Sequence, residues 1–102
     1  MRKDAVVAVV TGASRGAGRG IAMALGSYGC TVYVTGRSVR PEDAPSVGNV
    51  ILPGTIYETA AAITAAGGRG IPVRVDHGVD EDIAALFERV EREQGKLDIL
   101  IN

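Results

Sequence analysis

The stretch VVTGASRGAGRGIA, Val9 to Ala22, decides how the chain is read. Gly12, Gly16, Gly18 and Gly20 fall within nine residues, between a valine-rich run and an apolar pattern of helical spacing. Glycines at that density weaken local structure unless the backbone must turn unusually or admit a close neighbour. A strand that ends in such a turn and feeds a helix N-terminus makes an anion site. The amides of the first helical turn are unsatisfied, the helix dipole is positive there, and the missing side chains let a phosphate approach.

Working outward, Ala5 to Val10 is a continuous apolar run, as a strand buried on both faces requires. After the glycines, Ile21, Ala24, Leu25 and Tyr28 mark the apolar face of a helix that Gly29 stops. Thr31 to Thr35 is β-branched or aromatic throughout and predicts a second strand. Thr55 and Glu58 form a capping box that opens a helix with Ile56, Ala60 and Ile63 on its buried face, ending at Gly67-Gly68. Ile71 to Val75 is a third strand. Asp80, Glu81 and Asp82 then place negative charge at the start of a helix that buries Ile83, Leu86, Phe87 and Val90. Its end, Glu88 to Gln94, is expected to be a solvated face, and Leu97 to Ile101 begins a fourth strand.

The alternation of strand and helix predicts an α/β fold: a doubly wound parallel sheet with right-handed crossovers and helices on both faces. The segment Gly36 to Gly54, with Pro41, Pro45 and Pro53, is long for a strand-to-helix connection and reads as a loop. In a sheet of order 3-2-1-4-5-6 the fourth strand is internal, so the sequence is expected to be the first part of a larger protein.

Composition narrows the function. At 102 residues the chain is about one small domain, and 46% hydrophobic content with 4% aromatics fits an aliphatic parallel core. Eleven basic and twelve acidic residues leave a formal charge of -1, so no nucleic acid partner is implied. Cys30 is the single cysteine, which excludes an internal disulfide and fits a small buried hydrophobe in a reducing compartment. The N-terminal apolar run is too short for a signal peptide, and nothing approaches the roughly twenty apolar residues of a membrane span. A cytoplasmic protein without a membrane partner is expected.

Among nucleotide readings, a P-loop fails because no lysine follows the glycines, and G-x-G-x-x-G fails because Ile21 occupies its third glycine position. What stands is T-G-x-x-x-G-x-G, from Thr11 to Gly18. Here the sequence resembles the short-chain dehydrogenases/reductases, NAD(P)(H)-dependent oxidoreductases of Rossmann type. TGASRGAG is similar to that family's cofactor loop, Asp76 matches its adenine-contacting aspartate, and LDILIN, ending at Asn102, matches the start of L-D-x-L-[VI]-N-N-A-G. Leu52 to Ile56 also resembles an L-P-G-T-I segment of some members.

The resemblance implies roles. Gly12 makes the turn; Gly16, Ala17 and Gly18 line the pyrophosphate, and Ser14 offers its hydroxyl to the adenosine phosphate or else stabilises the turn locally. Gly20 serves helix packing. Asp76 accepts from the adenine amino group with the His77 amide beside it, or is a strand-end turn residue; Asn102 joins the cofactor site. No acid follows the second strand, where Thr35-Gly36-Arg37-Ser38 stands, so Arg37 and Arg15 favour NADP(H) over NAD. The loop from Arg40 to Pro53 is either a cover for the adenosine end or a surface excursion.

The family's serine and Tyr-x-x-x-Lys are absent: Tyr28, Tyr33 and Tyr57 are followed four places on by Val32, Arg37 and Ala61. No catalytic or metal-ligating residue is assigned. Tyr28 and Tyr33 read as core or boundary aromatics. The expectation is the cofactor-binding half of an oxidoreductase acting on a small carbonyl or alcohol, a homodimer or tetramer by resemblance. The competing readings are a noncatalytic dinucleotide sensor on the same fold and a methyltransferase, the latter disfavoured by the missing acid.

Overall fold

The computed structural model describes residues 5–13, 16–37, 46–47, 50–51 and 55–102. The chain runs β1 (Val7–Val10), α1 (Gly16–Ser27), β2 (Thr31–Gly36), β3 (Ser46–Val47), β4 (Val50–Ile51), α2 (Ile56–Ala65), β5 (Arg69–Arg74), α3 (Asp80–Gln94) and β6 (Ile99–Ile101). Four strands form one parallel sheet in the order β5-β2-β1-β6. This is the Rossmann-type doubly wound arrangement: the chain winds outward from β1 to β2 and β5, then crosses back to place β6 on the other side of β1.

Alternation along the strands divides the core in two. Val10, Val32 and Val34 face α1 and α2, where they meet Ala22, Ile56, Ala60 and Ile63. Val7, Val9 and Tyr33 face the other way, onto Leu86 and Val90 of α3. Each such side chain, fully buried, contributes about 1.5–3 kcal/mol relative to exposure. Cys30 is buried on the first side.

α2 begins as read: Thr55 is its N-cap, and the Thr55 hydroxyl accepts the Glu58 amide at 3.2 Å. α1 turns a partly different face to the core. Ile21 is 41% exposed and Tyr28 84% exposed, while Ala22 and Gly26 are buried. The reason is close packing. A Cβ on Gly26 would stand 2.7 Å from the Ile63 side chain, so the small residues at 22 and 26 let α1 settle against α2, with Met23 and Leu25 partly buried beside them and Ile21 and Tyr28 outside. Gly20 does not serve packing, since a Cβ there would meet nothing within 4 Å.

Two further expectations need correction. The Gly36–Gly54 connection is not loop throughout, because β3 and β4 pair antiparallel. Val47, Val50 and Ile51 are strand formers flanking Gly48-Asn49, a hairpin signal in a segment whose prolines mark it as a loop. Nor is the end of α3 merely solvated. The buried Tyr33 donates its hydroxyl to Glu93 Oε1 at 2.7 Å and accepts from Gln94 Nε2 at 3.1 Å, while Arg89 Nε contacts both Glu93 oxygens at 3.2 Å.

The Tyr33 hydroxyl, seconded by Arg89, holds the Glu93 carboxyl below its usual range, and burial together with Glu93 pushes the Tyr33 phenol up. A depressed carboxyl stabilises the fold above its unfolded pKa, and that contribution fades as pH falls through the folded value; a raised phenol loses its contribution as pH rises above its unfolded value. Tyr33→Phe is therefore expected to cost about 1–2 kcal/mol at neutral pH. The gap between wild type and variant should narrow in acid, as read by thermal melts at pH 7 and below pH 4.

Candidate functional site: the strand-end cleft

Three parallel strands deliver their C-terminal ends to one cleft of about 410 Å³, lined by Gly12, Gly36, Arg37, Val75, Asp76, His77 and Gly78. It lies over β1, β2 and β5, beside the point where the crossovers part. β2 and β6 flank β1 on opposite sides, so the crossovers diverge at the end of β1, and ligands of open α/β sheets bind at that divergence. A second cleft, about 300 Å³, lies between β5 and α3, and of its arginines Arg89 and Arg92 are paired with Glu93 and Glu88. It lies on the open edge of the sheet and gathers none of the residues that the sequence assigns to a cofactor site.

The glycine turn is built for its place. Gly12 and Gly16 have φ of 61° and 68°, a backbone region costly for other residues, with open space where a Cβ would stand. Gly18 has a different duty, since a Cβ there would lie 2.5 Å from the Gly12 carbonyl oxygen; its absence lets α1 start directly beneath the turn. The turn is also pinned. The Ala13 amide donates to the Thr35 carbonyl at 3.1 Å, and the buried Thr59 hydroxyl donates to the Ala13 carbonyl at 2.9 Å.

At the end of β5, Asp76 Oδ1 accepts the Gly78 amide at 2.9 Å, closing an Asx turn. Its other carboxylate oxygen has no partner among the described residues. His77 Nε2 lies 3.1 Å from the Thr35 hydroxyl, tying the ends of β2 and β5 together. Arg37 is exposed and makes no ion pair with a described residue. Among the described residues no group of three or more His, Cys, Asp or Glu side chains is placed to hold a metal ion.

Of the residues singled out in the sequence, Gly12, Arg37, Asp76 and His77 meet in the cleft. Gly16 and Ala17 are exposed at the start of α1, Gly18 is half-buried beneath the turn, and Asn102 is exposed just after β6; none is among the cleft's lining residues. Ser14 and Arg15 lie outside the described residues, as do Leu52 to Gly54 and most of the 40–53 segment. Two residues that support the cleft were not singled out, Thr59 and Thr35, nor was Asp98 at the other end of the sheet. The Asp98 Oδ2 accepts the Val7 amide at 2.9 Å and pairs with Lys96 at 3.1 Å. A threonine in the apolar stripe of α2 was the available signal for Thr59.

A doubly wound sheet with a pinned glycine turn at the divergence of its crossovers is a nucleotide-binding α/β architecture. Comparison makes this specific. Residues 6–102 match the family model for short chain dehydrogenase, and the chain belongs to that family. It is 44% identical over 97 residues to mouse dehydrogenase/reductase SDR family member 1, covering 94% of this chain and 26% of that protein. The chain thus spans about a quarter of the length of the curated relatives it matches.

Solved structures agree. A short chain dehydrogenase of Mycobacterium thermoresistibile superposes with a TM-score of 0.81 at 29% identity, over 97% of this chain and 33% of that one. A metagenomic short-chain oxidoreductase in complex with NADP gives 0.75 at 34% identity, over 97% and 39%. The NADH-dependent reductase A1-R′ complexed with NAD gives 0.72 at 21% identity, over 98% and 36%, a likeness of fold. The family binds a nicotinamide cofactor, and no helix among the described residues is long and apolar enough to cross a membrane.

The two α1 glycines that face different surroundings give a paired test. Gly18→Ala should cost about 1–3 kcal/mol through overpacking against the turn. Gly20→Ala, in open space on the same helix, should stabilise by about 0.4–1 kcal/mol through the unfolded state. Chemical denaturation of the two variants beside wild type reads both signs.

Proposed function

We propose that the chain is the NADP(H)-binding part of a short-chain oxidoreductase that moves a hydride between nicotinamide and a carbonyl or alcohol carbon. The observation that carries this reading is Arg37 and Asp76 lining one cleft at adjacent strand ends, with no acid at the end of β2, where Gly36-Arg37-Ser38 stands. A carboxylate after β2 bonds the ribose 2′-hydroxyl and repels a 2′-phosphate; an exposed guanidinium attracts that phosphate and can grip it through two donors. Asp76 has one carboxylate oxygen open for the adenine amino group. The NADP complex of the metagenomic relative supports the same choice.

In this reading the Gly12 turn and the amides at the start of α1, with Ser14, Arg15, Gly16, Ala17 and Gly18, hold the pyrophosphate. Arg37 and Arg15 hold the 2′-phosphate; Asp76 and the His77 amide read adenine, and Asn102 borders the nicotinamide side of the divergence. The bound dinucleotide supplies the hydride carrier, and the protein supplies binding and orientation. The proton-transferring serine, tyrosine and lysine belong to the rest of a single domain of which residues 1–102 are the N-terminal part. A cytoplasmic homo-oligomer without nucleic acid or membrane partners completes the proposal.

Arg37→Asp tests the cofactor choice. NADPH should bind more than about tenfold more weakly, and the preference over NADH should shrink or reverse. Fluorescence titration with both cofactors measures it; unchanged dissociation constants would sink the assignment.

A further inference from the structure

Asp82 holds the turn after β5 from within α3. Its Oδ2 accepts the Asp76 amide at 3.0 Å. A carboxylate in the first turn of a helix ordinarily serves that helix's own free amides, or reaches back to the N-cap amide as in a capping box. Here the N-cap is Val79, with no side-chain bond, and Asp82 reaches three residues further back instead.

Asp76 is consequently held at three points: its amide by Asp82, its carbonyl by the Val79 amide at 2.9 Å, and Oδ1 by the Gly78 amide at 2.9 Å. The first of these is a charge-assisted bond and is made from outside the turn. The other two are local to residues 76–79. Asp82 is the side-chain bond that ties the Asp76 amide directly to α3; the Val79 carbonyl, met by the Asp82 and Ile83 amides, and His77, against Thr35, hold the rest of the turn.

We infer that Asp82 is a positioning residue for cofactor recognition: it orients Asp76 so that the free carboxylate oxygen addresses the adenine amino group. The inference rests on the reading of Asp76 as the adenine acceptor. Asp82 does not touch the cofactor and acts only through Asp76. Removing its carboxylate frees the Asp76 amide while the rest of the turn stays anchored, so the adenine contact weakens while the pyrophosphate and 2′-phosphate contacts persist. An asparagine keeps an acceptor oxygen at the same reach and restores the hold.

The test uses NADPH and its analogue with hypoxanthine for adenine, which carries a carbonyl in place of the amino group. Dissociation constants are measured by fluorescence titration on the full-length protein and its Asp76→Ala, Asp82→Ala and Asp82→Asn variants. Wild type should prefer NADPH, and Asp76→Ala should abolish the preference, weakening NADPH by about tenfold. Asp82→Ala should weaken NADPH by about fivefold and leave the analogue within about twofold, whereas Asp82→Asn should stay near wild type. The ratio of the two constants is unaffected by any inactive fraction, so a less stable variant still answers. Equal weakening of both ligands in Asp82→Ala, or a ratio unchanged from wild type, overturns the positioning role. If Asp76→Ala abolishes the preference and Asp82→Ala keeps it, the Asp82 assignment alone falls. If wild type shows no preference and Asp76→Ala changes nothing, the adenine reading of Asp76 falls, and the inference with it.

Discussion

β1 is four residues long, paired on both edges and covered on both faces, and this confinement governs the rest of the molecule. Every one of Val7, Ala8, Val9 and Val10 is at most 2% exposed. A strand so enclosed can carry only apolar side chains, and its backbone groups must be met by parallel neighbours. With β2 on one side and β6 on the other, the chain leaves β1 at the point where its crossovers part. The residues after Val10 must therefore turn sharply at once, directly against the start of α1. Gly12 supplies the turn and Gly18 the clearance, and both follow from where β1 has to be.

The same confinement explains what was legible. A continuous apolar run, a β-branched run and a helical stripe each betray themselves when burial dictates side-chain type, so β1, β2, α2 and α3 stand close to where the sequence puts them. α1 matches its sequence pattern only in part: Leu25 packs against the core as expected, but the fully buried positions are small residues. Ala22 and Gly26 carry little hydrophobic signal, and the larger Ile21 and Tyr28 dominate any periodicity although they point away from the core. Close helix packing erases the pattern by which amphipathic helices are ordinarily recognised.

Side-chain bonding was less legible for a related reason. Gly12, Arg37, Asp76 and His77 could be grouped because each follows a strand, and parallel strands bring their ends together. Thr59, Asp82 and Asp98 bond backbone groups 46, 6 and 91 residues away, and of these only the bond of Asp82 is nearly local. Asp98 was visible as part of LDILIN but carried no assigned role. In the structure its carboxylate takes the Val7 amide, its own amide donates to the Val7 carbonyl at 2.9 Å, and it thereby sets the register of β6 against β1. The Val7 amide and Lys96 both hold its carboxyl below the usual range.

Polar groups are distributed unequally between the two ends of the sheet. Where the strands begin, Asp98 is paired with Lys96 and Val7, and Glu93, Arg89, Gln94 and Tyr33 close on one another at the nearby end of α3. Where the strands end, among the described residues, Arg37 has no ionic partner, one Asp76 carboxylate oxygen has no hydrogen bond, and nothing stands within 4 Å of where a Gly12 Cβ would be. Satisfied pairs at one end lower the free energy of the fold itself. Open groups at the other contribute nothing until something with complementary charge arrives, and a ligand that binds only the folded chain stabilises it in proportion to the logarithm of its concentration over its dissociation constant. A group cannot be both tied into its own protein and available to a ligand; in the proposed reading Asp76 is fastened by its amide, through Asp82, by its carbonyl and by one carboxylate oxygen, and the other oxygen is left for adenine.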